Sequence, residues 1–160
     1  MGYLNRVMHD FTIRLATVAD IPTLIYHRRS MWLDMGRRGE EAFEVMEAAA
    51  DEYFHIAIPK GLYRGYLAEV DSRVVGGGGL VISPWPGQLR QRKPYRAMIL
   101  NIYVEKEFRR RGIARAIMET MITWCRENEF VNVGLHASDE GRPLYEKLGF
   151  KPTNEMRLDL

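Results

Sequence analysis

The chain has 160 residues, 46% hydrophobic and 28% charged, with a formal net charge of +2. That length fits one domain over residues 1–160 with a real core, and the near-balanced charge argues against a nucleic-acid partner, whose binder carries lopsided charge. A single cysteine, Cys125, excludes an internal disulfide and a cysteine-built metal site, so no metal is expected and a reducing, cytoplasmic setting fits. No apolar run reaches the ~18 residues of a membrane span, so no membrane partner is expected. The opening "MGYLNRVMHDF" lacks the long apolar stretch of a signal peptide.

Phe11 to Thr17 alternates apolar and polar residues and predicts a strand. Asp20 suits a helix N-cap and Pro22 the first turn of the helix. Leu24, Ile25, Arg28, Met31, Trp32 and Met35 then fall at helical spacing up to Gly36. A second helix runs from about Glu40 to Ala57, with Phe43, Met46, Ala50, Tyr53 and Phe54 on one face, closed by Pro59 and Gly61. Gly65 to Val70 and Val74 to Ser83 are strands joined by a turn at "DSR". The second carries Gly76 to Gly79, and glycines inside a strand mark a bulge or the close approach of another backbone. Pro84 to Pro94 is a basic loop bounded by prolines. Ala97 to Val104 is an apolar strand expected to be buried on both faces. Ile113, Ile117, Met121 and Trp124 recur at helical spacing and predict a helix from Ile113 through Trp124. Val131 to Ala137 is a strand, Gly141 to Phe150 a short helix stopped at Gly149, and Glu155 to Leu160 a last strand of alternating polarity. The order β-α-α-β-β-β-α-β-α-β interleaves the elements without strict alternation. The fold class is therefore α/β (α+β), a mixed central sheet flanked by helices.

"RRRGIA", Arg109 to Ala114, is the densest positive charge in the chain, and it sits where a strand gives way to a helix. A helix N-terminus offers unpaired N–H groups and a partial positive charge, which together make an anion site. Arginines there oppose the macrodipole and need a partner. Gly112 removes the Cβ that would hold a phosphate away from the backbone, and Ala114 keeps the next turn slim. From these residues alone, a solvated charge run, a nucleic-acid patch and a phosphate loop all remain open.

The same residues resemble the Q/R-x-x-G-x-G/A acetyl-CoA motif of the GCN5-related N-acetyltransferases. Arg109, Gly112 and Ala114 occupy its fixed positions. "NIYVEKEFRRRGIARAIME" is similar to the family's strand-loop-helix unit, "RPLYEKLGF" to its late motif and "IRLAT" to its first strand. The resemblance implies a GNAT-like fold with splayed central strands, acetyl-CoA (CoA) as cofactor, and acetyl transfer to a primary amine by direct attack. It implies that the backbone from Arg110 through Arg111, Gly112, Ile113 and Ala114 to Arg115 binds the pyrophosphate, with the side chains of Arg109, Arg110 and Arg111 adding charge. It implies that Ile102, Tyr103 and Val104 pair with the pantetheine arm, one of their N–H groups facing the thioester carbonyl and stabilising developing negative charge. Tyr145 matches the general acid that protonates the leaving thiolate.

The chain departs from the family at the base. Met98 and Val133 stand where members carry glutamates. His136 is the nearest titratable side chain and suits a base at neutral pH. A histidine merely hydrogen-bonded at a strand end and a water relay are the other readings. Ser138 replaces an asparagine that contacts the cofactor and can still hydrogen-bond the pantetheine. The family builds its acceptor site from the first two helices. Here these offer Arg28, Arg29 and Trp32, an aromatic and basic wall suited to a small-molecule or peptide amine bearing a carboxylate. A homodimer is a partner state that the family also allows. Cys125 reads as a buried, inert thiol. The rival readings are a non-catalytic CoA-binding sensor or subunit, and an RNA-directed protein using Arg90 to Arg96 with Arg109 to Arg111.

Overall fold

The computed structural model describes residues 10–160. The expectation resting on the first nine residues, the lack of a signal peptide, lies outside them. Among the described residues, five strands form one mixed sheet in the order β1-β2-β3-β4-β5. These are β1 (Thr12–Leu15), β2 (Tyr63–Val70), β3 (Arg73–Pro84), β4 (Tyr95–Val104) and β5 (Gly134–Leu135). The first four run antiparallel to their neighbours, and β5 joins β4 in parallel. The helices are α1 (Ile21–Asp34), α2 (Glu40–Ala57), α3 (Ile113–Glu127) and α4 (Arg142–Lys147).

Side chains alternate across a strand, and β2 sorts its residues accordingly. Tyr63 and Leu67 pack with Ile21, Leu24, Ala50 and Phe54 of α1 and α2. Tyr66 and Ala68 pack with Ile113, Ile117, Met118 and Met121 of α3. The sheet is thus covered on both faces. The four fully buried α3 residues Ile113, Ile117, Met118 and Met121 each contribute on the order of 2 kcal/mol by leaving water. No helix among the described residues is long and apolar enough to cross a membrane.

The glycine run in β3 does both things glycines in a strand suggest. A Cβ on Gly76 would lie 2.8 Å from the Tyr103 carbonyl oxygen, one on Gly78 would collide with Ile102, and one on Gly79 would enter the Tyr63 ring. The register also steps from Gly77 opposite Tyr103 to Gly79 opposite Leu100. Asn101 and Ile102 therefore face Gly78 alone, a bulge on β4. Asn101 takes φ +59° there, in the left-handed region that asparagine tolerates better than most residues.

Several expectations change. Asp20 does not cap α1 with its side chain. Its carboxylate instead accepts from the Thr17 N–H at 2.8 Å and from Arg14 at 2.9 Å, holding a 3-10 turn before the helix. β4 is not buried on both faces: from Arg96 to Tyr103 it alternates half-buried and buried positions. The Pro84 to Pro94 segment folds into a small hairpin through a Gln88–Gln91 bridge. The strand expected at Val131 to Ala137 shortens to two residues, and the segment from Glu155 to Leu160 forms no strand. Alternating polarity supplies a face but no hydrogen bonds; a strand also needs a neighbour's ladder. Met156, Leu158 and Leu160 accordingly stay exposed.

Candidate functional site

β4 and β5 pair only at Met98–Gly134 and Ile99–Leu135. From Leu100 onward the two strands separate, which is the splaying expected of the central strands. A cavity of about 530 Å³ opens in the gap. It is walled by α1, β4, the loop after β4, the first turn of α3, and the segment from Leu135 to Tyr145.

The exposed edge of β4 has a defined polarity. The Glu105 N–H donates to the Val75 carbonyl at 2.8 Å. Alternation then turns the N–H groups of Ile102 and Val104 away from β3 and toward the gap. The Val104 carbonyl on that edge is already taken by Arg109 Nε at 2.8 Å. Tyr103 faces the other way: its ring lies 5.2 Å from His27, with the Arg109 guanidinium 5.7 Å above it.

α3 begins at Gly112, which has φ +80° and provides no side-chain cap. Its carbonyl accepts from Ala116 at 3.0 Å, so the N–H groups of Ile113, Ala114 and Arg115 are left without intrahelical partners. A Cβ on Gly112 would meet nothing within 4 Å, so the space in front of these donors is open. Arg110 enters this turn at φ +64°.

The arginines of the motif are not equivalent. Arg109 is a clamp, ion-paired with Asp34 at the end of α1, 3.8 Å from Glu140, and bonded to the Val104 carbonyl. Arg111 turns away from the cavity, donating to the Glu107 carbonyl at 3.2 Å and lying over the Phe108 ring. Arg115 pairs with Glu119 at 2.8 Å. Arg110 lines the cavity with no ion-pair partner among the described residues.

Tyr145 on α4 reaches the cavity with only 8% of its surface exposed. Its ring lies across Gly141, where an added Cβ would stand 2.7–2.9 Å from the ring and hydroxyl. Glycine at that position is what lets the aromatic lie on the backbone. The hydroxyl has no hydrogen-bond partner among the described residues, and burial pushes the phenol above its ordinary value. Ser138 Oγ accepts from the Gly141 N–H at 3.1 Å, which steadies the same turn and leaves the serine hydroxyl free to donate. His136 stands exposed on the cavity wall without a hydrogen-bond partner among the described residues. Cys125 is buried, and burial pushes its thiol up to about 11.

On the α1 side, Arg28 and Trp32 line the cavity, with the guanidinium 6.0 Å from the indole. Arg29 does not. It turns to α2, pairing with Glu40 at 2.6 Å and Glu47 at 3.1 Å and lying over Phe43. Of the residues singled out from sequence, all but Arg29 and Arg111 meet at this one cavity. Asn101 was not singled out. It joins Arg28 Nη1 at 2.7 Å to the Tyr63 hydroxyl at 3.2 Å. Its one sequence signal is that it is the lone polar residue of "AMILNIYV".

Residues 28–150 match the acetyltransferase (GNAT) family. The chain is 30% identical over 93 residues to human N-acetyltransferase 8, covering 56% of this chain and 39% of that relative's length. It therefore spans about two fifths of that curated relative. A GCN5-related N-acetyltransferase from Ralstonia eutropha JMP134 superposes with a TM-score of 0.86 at 28% identity, covering 94% of this chain and 98% of the other. A predicted acetyltransferase from Clostridium acetobutylicum, solved with acetyl-CoA, superposes with a TM-score of 0.84 at 25% identity over 94% and 95%.

Proposed function

This chain belongs to the acetyltransferase (GNAT) family, and from that premise we propose that it moves an acetyl group from acetyl-CoA to a primary amine by direct attack. The observation that carries this reading is the meeting of three features at one cavity: the uncapped α3 N-terminus, the open β4 edge and the Tyr145 hydroxyl, which has no hydrogen-bond partner among the described residues. Open space at Gly112 fits a pyrophosphate against the backbone.

Acetyl-CoA supplies an activated acyl carbon. The N–H groups of Ile113, Ala114 and Arg115 hold its pyrophosphate, with Arg110 adding charge. Ile102 and Val104 present N–H groups to the pantetheine and the thioester carbonyl, already aimed before reaction. Tyr145 keeps its proton at neutral pH, since burial raises its pKa, and delivers it to the departing thiolate. His136 stands on the same wall as the acceptor of the amine proton, directly or through water. Fixing amine and thioester in one cleft supplies much of the rate. A single free thiol suits a reducing cytoplasm.

The test is release of free CoA from acetyl-CoA across a panel of primary amines. The expected result is saturable, amine-dependent release with the acetyl group recovered on the amine. Tight acetyl-CoA binding with no release for any amine would replace the enzyme by a CoA-binding sensor.

A further inference from the structure

Resting on that transferase reading, we propose that the acceptor is a primary amine carrying an oxyanion, a carboxylate or a phosphate, and that Arg28 is the side chain that holds it. The cavity presents four guanidinium groups. Arg109 and Arg115 are neutralised by Asp34 and Glu119. Arg110 belongs to the loop leading into α3. Arg28 lies on the other wall, half-buried on α1, and no carboxylate lies within ion-pair distance of it among the described residues. The two acids lining the cavity are Asp34 and Glu140, and both are engaged by Arg109, Asp34 by Lys106 as well.

The contacts Arg28 does make carry no negative charge. Nη1 donates to the Asn101 side-chain oxygen at 2.7 Å, and the Asn101 amide donates to the Tyr63 hydroxyl. Tyr63 is fully enclosed, and burial pushes its phenol up to about 12, so it stays neutral. Burial likewise pulls the Arg28 guanidinium below its ordinary value. A guanidinium has five N–H donors in a planar fork matched to carboxylate and phosphate. Here one hydrogen bond to Asn101 fixes the group's direction, and Arg28 lines the cavity together with Trp32, Met31 and Met35. A cation withdrawn from water beside apolar side chains is costly until an anion arrives. Asn101 lies at the β4 bulge just before Ile102, so the residue that aims Arg28 belongs to the strand whose edge borders the cavity.

The experiment uses CoA-saturated protein titrated by calorimetry with two matched pairs, β-alanine against β-alaninamide and phosphoethanolamine against ethanolamine. At least one anionic member should bind about tenfold or more tighter than its neutral twin, the scale of a charge-assisted hydrogen bond. Which pair shows the larger gap distinguishes carboxylate from phosphate. Arg28→Gln keeps an N–H for Asn101 but loses the charge, and should erase the preference. Arg28→Lys should restore part of it. Equal binding within both pairs, no binding by either anionic probe, or an unchanged preference in Arg28→Gln would overturn the proposal. A purely structural Arg28 would weaken charged and neutral probes alike in both variants. Failure of the transferase reading shows separately, as failure of CoA to bind or of acetyl-CoA to give up its thiol.

Discussion

On the α3 side of the cavity, apart from the Arg110 side chain, the groups that face the open space belong to the backbone: the N–H groups of Ile113, Ala114 and Arg115, cleared by Gly112. On the α1 side they are side chains, Trp32 and an Arg28 aimed by Asn101, with the rings of Tyr26, His27 and Tyr103 packed together nearby. Backbone donors are the same in any sequence, so a site built on them constrains only the residues that must be small. Side-chain donors can be exchanged one at a time. The first wall suits a ligand that does not vary, the second a ligand that does.

The largest effect falls where the two walls meet. Tyr145→Phe removes one hydroxyl with no hydrogen-bond partner among the described residues, so it should leave acetyl-CoA affinity unchanged and lower kcat by roughly 10²-fold or more. Steady-state kinetics with calorimetry check it; a kcat within about twofold of wild type would hand the proton to solvent.

The second effect probes the support behind the acceptor wall. His27 is 2% exposed, packs against Tyr26 and Tyr103, and burial lowers its pKa from 6.5 to about 4. The folded state therefore keeps it neutral while the unfolded chain takes up a proton. Stability from this group is full above pH 6.5 and falls as pH drops toward 4, by ~3 kcal/mol in all. Denaturant unfolding at several pH values should show that slope, and His27→Phe should flatten it. An identical slope in the variant would put the acid sensitivity elsewhere.

Gly141→Ala comes next. The methyl would displace the Tyr145 ring, so kcat should fall about tenfold with acetyl-CoA affinity intact, the cost of a misplaced reacting group. The smallest effect separates two neighbouring arginines. Arg29→Gln breaks surface pairs with Glu40 and Glu47, and should lower stability only slightly while leaving acceptor KM within about twofold. A large KM change there would move the acceptor wall toward α2.

The difference between the walls also governs what was legible in the sequence. "RRRGIA" and "GRPLYEKLGF" stand out because a backbone site and a ring lying on glycine need small residues at fixed spacing. The bounds of α2, the β3 glycines and the Gly149 stop follow from local chemistry and were equally readable. Arg28 and Arg29 look alike in sequence; only the packing of α2 shows that one is neutralised and the other is not. Asn101 was hidden because its positive φ comes from the β4 bulge, and a bulge is a relation between two strands. The same holds for Glu155 to Leu160, where a strand pattern lacks a ladder.

The claim that the α3 N-terminus holds acetyl-CoA through its backbone is tested most directly by calorimetry of acetyl-CoA against Gly112→Trp, with Gly112→Ala as the control. Both variants carry a side chain at φ +80° and so share the backbone strain. Only tryptophan fills the space in front of the donors. The alanine variant should bind acetyl-CoA weakly but measurably and the tryptophan variant not at all, with both folded. Equal affinity in the two variants would contradict it.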